Sequence, residues 1–401
     1  MNALVAAMVL SAAPFDSKAA WAEFEEMVRV GYAYSQRDGV DGAKILETFK
    51  ARALATKKKE EFVDVAQMIA RNFADPHFIV GPLGPEDPNV VPTSSDLYVE
   101  RIGEAWIVRA VRFDSPAAKA GITSGTQVVS IDGEKLDARI VRLLGQPLTQ
   151  LSEAQQNFGA NVALTGIRNG KPRVLVTGTG SVTLGPSNQQ AGALEKGPHL
   201  TVRREGNLGV VVFNNSLGAK EVVREFSDAL TQLQDASALV LDFRETPSGG
   251  NTVVARGIMG HFVDRERPYQ MHTIPADERE YGVPRKFIEY VMPIMPRWNK
   301  PVFVVGGRWT GSMGEGLMIG FDAIGVITVG SELGHLLGGI SNETLEKSGA
   351  KLDVGIEALF HVDGSPREAF RPKRFLPVAE RTEKTDPALE LIRAEVARTI
   401  K

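Results

Sequence analysis

The sequence predicts a multidomain α/β protein with a helical N-terminal region, a β-rich middle and an α/β core. Three observations predict it. Residues 16–74 carry apolar side chains at helical spacing, beginning with Trp21, Phe24, Val28 and Tyr32. Residues 106–176 break into short strand-like runs. From residue 208 onward, largely apolar runs alternate with helical stretches, the pattern of strands buried on both faces. A chain of 401 residues has room for two or three domains and ample core.

Taken in order, Asp16 or Ser17 caps a first helix, a second follows Asp41, and a third spans 60–73 with Phe62, Val65, Met68 and Ile69 on one face. Lys57 to Lys59 reads as a solvated face. The stretch 82–95 is rich in Pro, Gly, Asp and Ser and marks a boundary. Strands are expected at 106–111, 127–131, 162–167 and 173–176, with a helix at 137–144. Residues 187–197 read as a polar linker. Apolar runs at 208–213, 238–243, 302–305 and 325–329 are the core strands, with a helix over 219–233. Asp386 and Pro387 open a final helix bearing Leu389, Ile392 and Val396.

The composition excludes some chemistry. Hydrophobic content of 43% and charged content of 24% are ordinary for a globular protein. A net charge of −3 recommends neither nucleic acid nor an anionic membrane as partner. There is no cysteine, so disulfides, thiol catalysis and cysteine-ligated metal are out. Covalent catalysis then falls to Ser, Thr, Lys or a carboxylate. No apolar run reaches membrane-span length. The start, with an apolar core at 3–10 and small residues Ser11, Ala12 and Ala13, fits a secretory signal. It lacks an early Lys or Arg, and a buried first helix is the alternative.

The segment 301–320 is the most informative. A buried strand (Val302 to Val305) leads through Gly306 and Gly307 to a helix opening near Ser312. A serine at a strand-to-helix turn stands beside the unpaired N–H groups and positive end of the helix, a setting that favours a developing anion. The same residues fit a capping box, Ser312 with Glu315. The G-x-S-x-G elbow pattern fails at Thr310, and the P-loop pattern fails at Ser312 and Met313.

Five segments in order resemble the tail-specific, or C-terminal-processing, serine proteases, across roughly residues 70–380. Asp114 to Ile122 followed by Ile131-Asp132-Gly133 is similar to a PDZ pattern. Leu241 to Gly250 resembles the "LDLRxNxGG" segment. Thr310 to Glu315 resembles "T-x-S-x-x-E", and Asp75-Pro76-His77 and Asp363 to Arg371 complete the set. The resemblance implies a PDZ-like domain, a crotonase-like α/β protease core and Ser312 as nucleophile. It also implies an oxyanion hole from the N–H of Met313 with that of Gly249 or Gly250. No cofactor or metal is implied, and the partner is a protein or peptide substrate.

The base departs from much of the family. The C-terminal-processing members use a lysine 25 residues after the serine, where this chain has Leu337, and no lysine lies in 329–339. The tricorn-like branch uses a Ser-His-Glu arrangement instead. His77 and Glu368 match its histidine and glutamate; Glu368 follows the serine by 56 residues (368 − 312 = 56). His335, beside the missing lysine's position, is the other candidate base, and Glu368 also fits a surface carboxylate beside Arg367. A histidine base predicts a rate that rises through an apparent pKa of about 6 to 8. The PDZ-like segment lacks a glycine-bearing carboxylate loop before Trp106.

The resulting organisation is a possible signal at 1–15, a helical region at 16–90, a PDZ-like domain at 91–186, a protease core at 187–385 and a terminal helix at 386–401. Export, to a periplasm or outside the cell, follows if the signal is real; otherwise the protein is cytoplasmic. Two rival functions stay open: a silent peptide- or apolar-ligand-binding protein on the same fold, and a small ester or amide hydrolase. Cleavage preference and oligomeric state are not legible in the sequence.

Overall fold

The computed structural model describes residues 14–399. The expected signal segment, with its apolar core at 3–10, lies outside the described residues. The fold is mixed α/β. Its core sheet runs in the order 200–205, 208–213, 238–242, 302–306, 327–330 and 374–375. The first pair is antiparallel and the rest are parallel.

Every residue of Leu208–Phe213 and of Ala238–Asp242 is buried. Strand side chains alternate between faces, and the cores divide accordingly. Val211, Phe213, Leu239, Leu241 and Val304 pack with the helices Val222–Gln232, Thr252–Met259 and Met313–Ala323. Val210, Val212, Val240, Phe303 and Val305 face the other way, under Ala388, Leu389, Ile392 and Val396 of the helix Pro387–Thr399. Burial on both faces is why these strands read as continuous apolar runs. Asp386 caps that last helix through the Leu389 amide and also pairs with Arg244 at 2.8 Å, tying the helix to the end of the 238–242 strand.

An antiparallel sheet of 286–291, 267–273, 351–360 and 339–344 lies beside the core, and Ile79–Gly81 pairs with its 351–360 strand. The N-terminal helices Ser17–Glu26, Gly42–Leu54 and Lys59–Asn72 share one apolar cluster with Leu337, Leu345, Leu352 and Val354. The chain's first described segment is thereby folded back onto its last third. A further antiparallel sheet, 97–102, 105–111, 127–131, 173–177 and 180–184, packs on the helices Leu136–Leu144 and Glu153–Leu164.

Two local expectations fail. Residues 162–164 end a helix rather than open a strand. Ser152 and Gln155 form a capping box at its start, and Gly159 lets it approach Leu144 so closely that a Cβ would come within 2.7 Å. Cap and packing override the β-branched run. The polar stretch 187–197 holds a helix, Gln189–Lys196, anchored by Gln190 Nε2 donating to Phe113 O at 2.5 Å. Its polarity hid the helix because only Gln190 and Ala191 are buried.

Candidate active site

Two loop segments meet above the core sheet. Thr246 and Thr310 form a parallel bridge between them. Thr310 Oγ1 donates to Phe243 O at 2.9 Å and accepts from the Gly307 amide at 2.9 Å. The Gly311 amide donates to Thr246 O at 3.1 Å. The threonine of the serine motif therefore serves as a staple between the two turns.

Ser312 sits at the head of the helix Met313–Ala323 with φ 51° and ψ −111°. That conformation is costly for a residue with a Cβ and persists only when the surroundings enforce it. The surroundings are visible. Glu315 Oε2 accepts from the Ser312 amide at 2.7 Å, and Arg367 donates to the Ser312 carbonyl at 3.3 Å. Gly249, at φ +68°, lies flat against the serine: a Cβ on it would stand 2.3 Å from Ser312 Cβ and 2.8 Å from Ser312 Oγ and Met313 N. Only glycine permits both that angle and that approach. The Gly249 amide is used by Thr246 O at 3.2 Å. The amides of Gly250 and Met313 have no partner among the described residues.

Glu315 is buried at 1% exposure and does more than cap. Its carboxylate also accepts from the amides of His335 at 2.8 Å and Leu336 at 3.1 Å. Burial pushes its carboxyl up to about 7, against the pull of Arg367, 3.9 Å away, and the three amides.

His77 is buried, with Nδ1 2.9 Å from Leu337 O. A carbonyl can only accept, so Nδ1 carries the proton and Nε2 keeps its lone pair. Burial, with the charge of Arg367, holds the imidazole down to about 4, hence neutral. Asp75, fully buried, accepts from the His77 amide at 2.8 Å, the Leu337 amide at 3.2 Å and Tyr32 Oη at 2.8 Å. Burial raises its carboxyl to about 6.

His335 is half-buried with φ 57°. Burial and Arg308 hold its ring down to about 4. It lines a cavity of about 310 Å³ with Glu368, Arg37, Tyr98, Arg308, Trp309 and Leu337. Glu368 is half-buried, and burial raises its carboxyl. The neighbouring Arg367 is not a surface partner: it is 3% exposed and donates to Leu336 O, Gly338 O and Ser312 O.

Ser312, Gly249, Gly250 and Met313 are thus brought together. His77, His335 and Glu368 border the same loop, 335–338. No hydrogen bond joins Ser312 Oγ to a histidine ring, or His77 to the Glu368 carboxylate, among the described residues. The groups that sequence reading missed are Arg367 and the carboxylate of Asp75. Both were visible within matched segments, but neither type, beside another charged or turn residue, signals burial. No cluster of potential metal ligands occurs among the described residues.

A serine at a strained helix start, backed by a glycine turn, is an arrangement suited to serine hydrolase chemistry. The family comparison narrows it: residues 207–369 match the model of peptidase family S41, a match that supports a serine-type peptidase. No curated protein matches the chain. Among solved structures it is similar to the photosystem II D1 C-terminal processing protease, at 17% identity and TM-score 0.56, over 91% of this chain and 94% of that one. It is also similar to mature CPAF complexed with lactacystin, at 13% identity and TM-score 0.59, over 96% and 97%. At such identities the likeness is one of fold.

Proposed function

We propose that the chain is a serine endopeptidase that cleaves peptide bonds through an acyl-enzyme on Ser312, with His77 as base and Glu368 as the supporting carboxylate. The observation that carries it is the enforced geometry of Ser312, fixed at both its amide and its carbonyl and backed by Gly249. Ser312 Oγ attacks the scissile carbonyl and its proton passes to His77 Nε2. The oxyanion is received by the free amides of Met313 and Gly250, while Gly249 supplies the close approach. Collapse breaks the C–N bond, and the amine leaves with the proton from His77. Water, deprotonated by the same imidazole, then hydrolyses the ester.

His77 has the tautomer that a base needs. The Leu337 carbonyl pins Nδ1–H and leaves Nε2 basic. Glu368 stabilises charge across the 335–338 loop rather than by direct contact. The sheet unit spanning 97–184 fits a PDZ-like role in positioning substrate. An exported protein, cut after Ala13, is the matching localisation.

Ser312→Ala tests the reading. It should abolish fluorophosphonate labelling and peptide cleavage while costing only about 1 kcal/mol of stability, the scale of a lost cap. A Ser312→Ala protein that still digests casein at the wild-type rate refutes it. A wild-type protein inert to the fluorophosphonate points to the silent binder, and labelling without digestion of a peptide library points to an esterase.

A further inference from the structure

The loop 335–338 occupies the stretch where the lysine-dyad members carry their base, and it has no helix or strand of its own. Its peptide groups are nonetheless held one after another. Glu315 accepts from the amides of His335 and Leu336. Asp75 accepts from the amide of Leu337 at 3.2 Å. Arg367 donates to the carbonyls of Leu336 and Gly338. The carbonyl of Leu337 receives His77 Nδ1. Buried irregular backbone must find partners, and here the partners are ionisable side chains from three distant parts of the chain.

Glu315, Arg367 and Asp75 each also grip the proposed machinery. Glu315 holds the Ser312 amide and Arg367 the Ser312 carbonyl. Asp75 holds the His77 amide at 2.8 Å. The loop is therefore gripped at 335, 336 and 338 by the side chains that hold Ser312 and at 337 by Asp75 and His77. We propose that Asp75 is a positioning residue, which fixes the Leu337 peptide and the His77 turn together and so sets the imidazole against Ser312. This rests on His77 being the base.

The physical reason is the tautomer. His77 Nε2 is basic only while Nδ1–H points at Leu337 O. The direction of that carbonyl depends on the peptide before it, whose N–H ends on Asp75. Tyr32, buried at 0% exposure, donates to the second carboxylate oxygen at 2.8 Å and keeps Asp75 from rotating away. Without the carboxylate the Leu337 amide is an unpaired buried donor, and the loop must shift to satisfy it. A misplacement of about 1 Å at reacting groups costs roughly 100-fold in rate.

The test is inactivation of the full chain by a fluorophosphonate, read as kinact, KI and final labelled sites. Asp75→Ala should label the same fraction of folded protein with kinact lower by about 10- to 100-fold and KI within about twofold. Asp75→Asn, whose amide oxygen accepts from the same two N–H groups, should recover at least about a third of wild-type kinact. If Asp75→Ala fails to fold, Asp75→Ser decides, since its hydroxyl still reaches the His77 amide but stops short of Leu337. It should show the same fall in kinact. Wild-type kinact in the folded alanine or serine variant overturns the proposal. So does an asparagine variant as slow as alanine. Were His77→Ala to label normally, the base assignment would fail, and this proposal with it. Were His77→Ala dead and Asp75→Ala normal, only the positioning claim falls.

Discussion

Replacing Gly249 by alanine should silence the enzyme without unfolding it. The residue has φ +68°, where any side chain costs about 1–2 kcal/mol before its contacts are counted. The new Cβ would stand 2.3 Å from Ser312 Cβ, whereas carbons in contact rest near about 3.5 Å. Something must move by roughly 1.2 Å, the difference of those two distances. Ser312 cannot simply retreat, because Glu315 holds its amide and Arg367 its carbonyl. The shift therefore falls on Oγ or on the 249–250 turn, and either way the nucleophile and the oxyanion donors lose register. A displacement of that size predicts a fall of about 100-fold or more in kcat. The global cost should stay within about 3 kcal/mol, inside the range of single substitutions. The assay is fluorophosphonate kinact per labelled site, alongside a thermal melt. Gly257→Ala is the control: its Cβ would meet Val223 Cγ2 at 2.8 Å, far from the serine, so it should lower the melt but spare kinact. A Gly249→Ala protein that labels at the wild-type rate would refute the reasoning, because the close approach would then have no catalytic meaning.

His77→Ala should lower kcat by about 1,000-fold or more with Ser312 intact, and His335→Ala far less; reversed effects would move the base to His335. A neutral base is required, and burial holds His77 down to about 4, so its own acid limb should fall toward pH 4 rather than at 6 to 8; a kcat profile of the wild type from pH 4 to 9 checks this. Glu315 is raised from 4.5 to about 7, so its contribution to stability is full below 4.5 and is lost as pH rises through 7, by about 3 kcal/mol at about 1.4 kcal/mol per unit. Glu315→Gln should flatten that slope in urea melts between pH 5 and 8, and an unchanged slope would exclude it as the cause. N-terminal sequencing of protein from its native host should begin near Pro14; a retained Met1 on cytoplasmic protein would exclude export.

The legible part of this protein is the part written in local pattern. The core strand 208–213 appears at the predicted bounds, because burial of a whole strand leaves an unbroken apolar run. The helix starts near Asp16 and after Asp41 were readable because an N-cap acts on its own next turn. Ser312, Gly249 and Gly250 were marked by the resemblance of their segments to family motifs. Where composition misled, at 162–164 and 189–196, the deciding force was packing against a distant element or a cap at the far end of the helix.

The sequence by itself determined an α/β core, a serine at its helix start and the lack of a dyad lysine. Tertiary structure alone decided what surrounds Leu337, the position of the missing lysine. It carried Asp75 across 262 positions to the Leu337 amide and His77 across 260 to the Leu337 carbonyl. It turned Arg367, which reads as a surface charge, into a buried clamp on the Ser312 carbonyl. No periodicity encodes such contacts, because each joins a side chain to a backbone group, and every residue has the same backbone.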